Sequence, residues 1–243
     1  MCKELKDLVN TLIEYGKTLS IKDLCPAKEE GALKLLTSNP YAFCIAACID
    51  RGTRSEIIWS IPWEIYQKYG HLDPIQFYNY SIEDWEKLIE QLKNKPRFKN
   101  DASKTLYVLT HLVVEKFEGD ARKIWENKSA HEVIMTFDSI YGVGLGIANM
   151  AVLLLIKVFN CDFPDKHNIN IKPDTHTIRV LYRLGLIDRE DTKLAKNKTK
   201  DLNPDFPGIL DSALWDIGKK FCSKQKPKCN ECPVEKYCAK QGL

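Results

Sequence analysis

A chain of 243 residues with 44% hydrophobic content is long enough for one large domain or two small ones sharing an interface. Neither a membrane protein nor an exported one is expected: no run approaches the roughly 18 unbroken apolar residues of a span, and the first residues do not read as the apolar stretch and cleavage site of a secretory signal. A net charge of +3 is too small to announce a nucleic-acid binder, so any such reading rests on where the charges sit. Nine cysteines, an odd count without an export signal, argue for reduced thiols and a cytoplasmic protein.

In chain order the text is helical. Residues 5–19 place Leu5, Leu8, Val9, Leu12 and Ile13 on one face. Further helices are expected over 39–50, 54–69, 81–94, 99–117, 130–138, 144–158, 174–184 and 207–221, with Pro and Gly in the gaps. Cys44 and Cys48, one turn apart, read as core thiols, and Trp59, Trp63, Trp85 and Trp125 as core rings. Two polar connections stand out: 159–173, and a Lys-, Asn- and Asp-rich loop over 192–207. No strand pair or internal repeat is evident, so the fold class is all-α.

Three motifs carry chemistry. In Ile140-Tyr141-Gly142-Val143-Gly144-Leu145-Gly146, a Gly-x-Gly turn precedes an apolar helix. The N–H groups at such a helix start bind a phosphate oxygen without a charged side chain. Alone the motif is weak, since such turns join many helix pairs. The second is Asp174, in Pro173-Asp174-Thr175-His176-Thr177, where a helix-starting Asp is first of all an N-cap. A carboxylate so oriented also suits the stabilisation of positive charge on a sugar. The third is the tail, where Cys222, Cys229, Cys232 and Cys238 follow the spacing C-x6-C-x2-C-x5-C. Four thiolates in one segment supply every ligand of a four-iron cluster or of a structural zinc, although zinc sites usually pair two C-x2-C knuckles.

The cysteine tail, with its lead-in Ala213-Leu214-Trp215-Asp216-Ile217-Gly218, resembles the cluster loop of endonuclease III-type helix-hairpin-helix DNA glycosylases. The hairpin and the D-T-H segment resemble the same family in the same order. The resemblance implies an all-α fold of two helical lobes with a cleft between them. One is a barrel over 34–157 that ends in the hairpin; the other is discontinuous, over 1–33 and 158–243, and carries the cluster loop. It implies a [4Fe-4S] cluster on the four cysteines, with Lys224, Lys226 and Lys228 on a loop facing the DNA backbone. It also makes Asp174 the catalytic carboxylate and Gly142, Val143, Gly144 and Gly146 backbone contacts to DNA. Arg51 occupies the place of a residue that fills the gap left by a flipped base, an ordinary turn arginine being the other reading.

The chain departs from the family's pattern. Where lyase-type members carry a lysine it has Gly146, and a glycine forms no Schiff base. Tyr141 stands in place of the hairpin's usual Pro, and the connection to Asp174 is longer. The expectation is a monomeric, monofunctional glycosylase of base excision repair, acting on damaged or mismatched bases in double-stranded DNA without AP lyase activity. It is placed in the cytoplasm, at the nucleoid if the source is prokaryotic. Two alternatives stay open: a DNA-binding scaffold without catalysis, and an iron–sulfur redox protein.

Overall fold

The computed structural model describes residues 3–243, and every regular element among them is helical, as the sequence led one to expect. Two compact units form: one from the residues up to Leu24 together with Asp165–Leu243, the other from Cys25–Pro164. No helix among the described residues is long and apolar enough to cross a membrane.

The first unit opens with α1 (Lys3–Thr18), whose apolar stripe buries Leu8, Val9 and Leu12, and a short α2 (Ile21–Leu24). The second unit begins with α3 (Glu30–Ser38) and α4 (Pro40–Cys48). Helix α4 is buried from Tyr41 to Cys48, which fits its lack of charged residues; Asn39 caps it by accepting the Ala42 N–H, with Pro40 in the first turn. The single helix expected over 54–69 is two, α5 (Ser55–Ile58) and α6 (Ile61–Tyr69). Pro62 has no N–H to continue an earlier helix and sits in the first turn of α6, where none is needed.

The second unit continues with α7 (Pro74–Phe77), α8 (Ile82–Gln91), α9 (Lys99–Phe117), α10 (Ala130–Asp138) and α11 (Leu145–Val158). Ser81 and Ser129 close capping boxes on α8 and α10. Phe43, Trp59, Phe77, Trp85 and Phe137 are fully buried, and each such side chain contributes about 1.5–3 kcal/mol of burial free energy. Cys44 and Cys48 lie in this core, whereas Trp63 is only half-buried and stacks on Tyr66.

The first unit resumes with α12 (Thr175–Arg183), α13 (Thr192–Leu202) and α14 (Asp211–Lys220), the last entered through a 3-10 turn over Pro207–Leu210. Helix α13 corrects the expectation of a loop over 192–207. Its surface is Lys and Asn, but Ala195, Thr199 and Leu202 lie at helical spacing and are buried, and Asp191 caps it by accepting the Leu194 N–H. The polar connection is also less loose than its composition suggests. Ile169 and Ile171 are fully buried, and the Ile169 carbonyl accepts the Gly208 N–H at 2.9 Å.

Candidate functional site

In the Cys25–Pro164 unit, α10 and α11 are joined by a turn in which Gly142 has φ 75°, a left-handed conformation that favours glycine. Gly144 is the extended N-cap of α11, and Gly146 lies half-buried within that helix's first turn. Val143 is buried, and its N–H is donated to Ile140 O at 3.0 Å. Val143 therefore anchors the turn. The N–H groups that open α11 are the ones with no acceptor inside the helix.

Arg51 is drawn onto this turn from 91 residues away. Its Nη1 donates to Gly142 O and its Nη2 to Thr105 Oγ1 at 3.1 Å. Thr105 Oγ1 also lies 2.8 Å from Tyr141 O, and the Tyr141 hydroxyl donates to Asp101 Oδ1 at 3.1 Å. Helix α9 and Arg51 thus hold the hairpin in place, and no local sequence pattern announced Asp101 or Thr105 in that role. An open recess beside the turn is lined by Arg51, Phe98, Asp101, Tyr141 and Gly142, with the Phe98 and Tyr141 rings exposed. A Cβ on Gly142 would overlap the Arg51 guanidinium. Gly142→Ala is accordingly expected to destabilise the protein by about 1–3 kcal/mol, read as a fall in Tm of a few degrees. An unchanged Tm would show that the turn relaxes freely.

In the other unit Asp174 is the N-cap of α12. Its Oδ1 accepts the N–H groups of His176 at 2.8 Å and Thr177 at 2.9 Å. Thr177 Oγ1 accepts the Asp174 N–H at 3.0 Å, closing a reciprocal box. With both bonds on one oxygen, Oδ2 is left without a donor among the described residues, and the residue is half-buried. Such a carboxylate is fixed in direction yet able to face a cation or a water.

Helix α12 joins this cap to the cysteine loop through two buried arginines that sequence reasoning passed over. Arg179 donates from Nε to Cys222 O at 2.6 Å, from Nη1 to Thr175 O at 2.9 Å and from Nη2 to Gly218 O at 2.8 Å. Arg183 Nη1 donates to Ser223 O at 2.7 Å and lies 3.4 Å from Cys222 Sγ, and its Nη2 donates to Lys224 O at 2.9 Å. Their i, i+4 spacing was the available signal. Helices α12 and α14 approach closely at Gly218, where a Cβ would come within 2.7 Å of the His176 Cβ.

Cys222, Cys229, Cys232 and Cys238 line one cavity with about 300 Å³ of atom-free space, part of it open to solvent. Among the described residues no group of three or more His, Cys, Asp or Glu converges on a point that could hold a metal ion. Burial raises the Cys232 thiol, and the charges of the other three sulfurs raise it further. Lys224, Lys226 and Lys228 are exposed on the same loop.

No family model matches the chain. It is 24% identical to endonuclease III of Bacillus subtilis (strain 168) over 220 residues, which covers 90% of this chain and 88% of that protein. To endonuclease III of Thermotoga maritima it is 22% identical, with 83% of each chain covered. Adenine DNA glycosylase of Arabidopsis thaliana is 35% identical over 71 residues, covering 27% of this chain and 11% of that one. A trapped endonuclease III–DNA covalent intermediate superposes with a TM-score of 0.67 at 18% identity, over 99% of this chain and 97% of that chain. A thermostable thymine-DNA glycosylase superposes at 0.62 and 17%, over 98% and 96%. The match in sequence over most of the chain and the shared helical fold carry one conclusion: the chain is similar to the endonuclease III-like helix-hairpin-helix DNA glycosylases along nearly its whole length and has their fold.

Proposed function

We propose that the protein is a monofunctional DNA glycosylase of base excision repair, hydrolysing the N-glycosidic bond of a damaged or mismatched base flipped from duplex DNA. The observation that carries this is the pairing of an oriented carboxylate, Asp174, with Gly146 at the position where lyase-type members have lysine. As the bond between C1′ and the base nitrogen breaks, positive charge grows on the sugar, and a fixed carboxylate beside it lowers the barrier. The base leaves with the electron pair of the broken bond, the water that adds to C1′ gives one proton to Asp174, and that proton passes through solvent to the departed base nitrogen, which returns Asp174 to its ionised form. The product is an abasic site and a free base.

DNA is held, in this reading, by the N–H groups opening α11 with Gly142, Gly144 and Gly146, and by Lys224, Lys226 and Lys228. Arg51, read as filling the gap left by the flipped base, braces the hairpin in the free protein. Cys222, Cys229, Cys232 and Cys238 would hold a [4Fe-4S] cluster, which when bound crosslinks the loop that carries the lysines. The protein is placed in the cytoplasm as a monomer.

The test is release of bases from a panel of duplexes carrying mismatched pyrimidines, uracil, and alkylated or deaminated bases. Free base without strand breaks, breaks only after alkali, and no protein–DNA adduct on borohydride treatment are expected. A trapped adduct would assign a lysine nucleophile and overturn the monofunctional reading. No release from any lesion, with duplex binding intact, would favour the non-catalytic scaffold.

A further inference from the structure

The turn that carries Asp174 is held from outside its own helix by a second carboxyl that the proposed chemistry leaves unused. Asp211, the first residue of α14, is buried, and its Oδ1 accepts the Lys172 N–H at 2.7 Å. The Lys172 carbonyl in turn accepts the Asp174 N–H at 2.8 Å and the Thr177 hydroxyl at 3.0 Å. One residue thus links Asp211 to the capping box that orients Asp174. The charged groups that face Asp211 are Asp174 and Lys172. Burial pushes its carboxyl up to about 7; the Lys172 N–H draws it down, the Asp174 charge raises it, and the Lys172 charge lowers it slightly.

We propose that Asp211 is a positioning residue for Asp174, fixing the Lys172–Asp174 turn through its carboxyl oxygen and adding its charge to the field in which Asp174 meets a developing cation. The proposal rests on the reading of Asp174 as the catalytic carboxylate. A neutral Asp211 positions the turn and does no more. An ionised Asp211 places a second negative charge behind Asp174, which favours an oxocarbenium-like state over a neutral ground state. Base release is therefore faster above the Asp211 midpoint than below it.

The experiment is single-turnover base release by the full chain between about pH 5.5 and 8.5, with the duplex that the lesion panel shows to be cleaved fastest. Wild type is expected to show an upward step near 7. Asp211→Asn keeps an oxygen for the Lys172 N–H but no charge. It is expected to lose the step, to be slower by about three- to tenfold at the alkaline end, and to approach wild type toward the acid end. Asp211→Ala, which also loses the acceptor, is expected to be slower across the whole range. Profiles of wild type and Asp211→Asn that run parallel would overturn the proposal.

A second measurement needs no turnover. Titration of the Asp211 carboxyl by ¹³C NMR is expected to show its midpoint falling in Asp174→Asn, where the neighbouring charge is gone. An unmoved midpoint would also sink the coupling. Retained base release in Asp174→Asn would sink the reading of Asp174 itself, and the NMR titration would still report whether the two carboxyls sense each other.

Discussion

Asp174→Asn is expected to slow base release by on the order of 10³-fold while leaving the fold and duplex affinity nearly intact. The substitution separates two duties of one side chain. As N-cap, Asp174 needs only an oxygen to accept the His176 and Thr177 N–H groups, and an Asn carbonyl does this as well as a carboxylate. As stabiliser of a sugar cation it needs its charge and a basic oxygen for water, and Asn has neither. Stability is therefore expected to change by less than about 1 kcal/mol. Duplex binding should be equal or slightly tighter, since a negative charge near phosphates has been removed. Asp174→Ala supplies the contrast, losing the cap as well at a cost of about 1 kcal/mol. Single-turnover release with a thermal melt of each variant reads both quantities. If Asp174→Asn kept more than about a tenth of wild-type activity, the carboxylate would be a cap alone.

The cysteine tail was legible because its four sulfurs come from one short segment, so spacing alone brings them together, and they do line a common cavity. The cap at Asp174 was legible for the same reason: donor and acceptor lie within three residues. What the sequence hid is long-range. Arg51 meets the hairpin across 91 positions and Asp211 meets Lys172 across 39, and no local periodicity encodes either pairing. Helix α13 was hidden differently, because Ala195 and Thr199 are small enough to be buried without registering as an apolar stripe. The two buried arginines of α12 carry no local mark of burial, since a guanidinium is buried only when carbonyls from elsewhere in the fold receive it.

Those carbonyls make Arg179 the residue whose loss is expected to cost the fold most. Its guanidinium meets Gly218 O in the last turn of α14, Cys222 O just beyond, and Thr175 O, with His176 Nδ1 at 3.1 Å. The C-terminal end of a helix carries partial negative charge, so the buried cation is balanced by unpaired carbonyls and the helix dipole without a carboxylate. Arg179→Met fills similar volume but strands two acceptors, Gly218 O and Cys222 O, each at about 1–3 kcal/mol, offset by no longer desolvating a charge. The net destabilisation is expected to be about 3–5 kcal/mol, which at this chain length lowers Tm by roughly 6–20 °C. Arg179→Lys should recover only part of this, because one ammonium cannot reach carbonyls arrayed for a planar fork. The loosened Cys222 backbone is also expected to lower the iron bound per chain in purified protein. A Met variant that melted within about 2 °C of wild type would mean that the carbonyls find water instead. The link from the Asp174 cap to the cysteine loop would then run through the packing of α12 on Gly218 and not through its arginines.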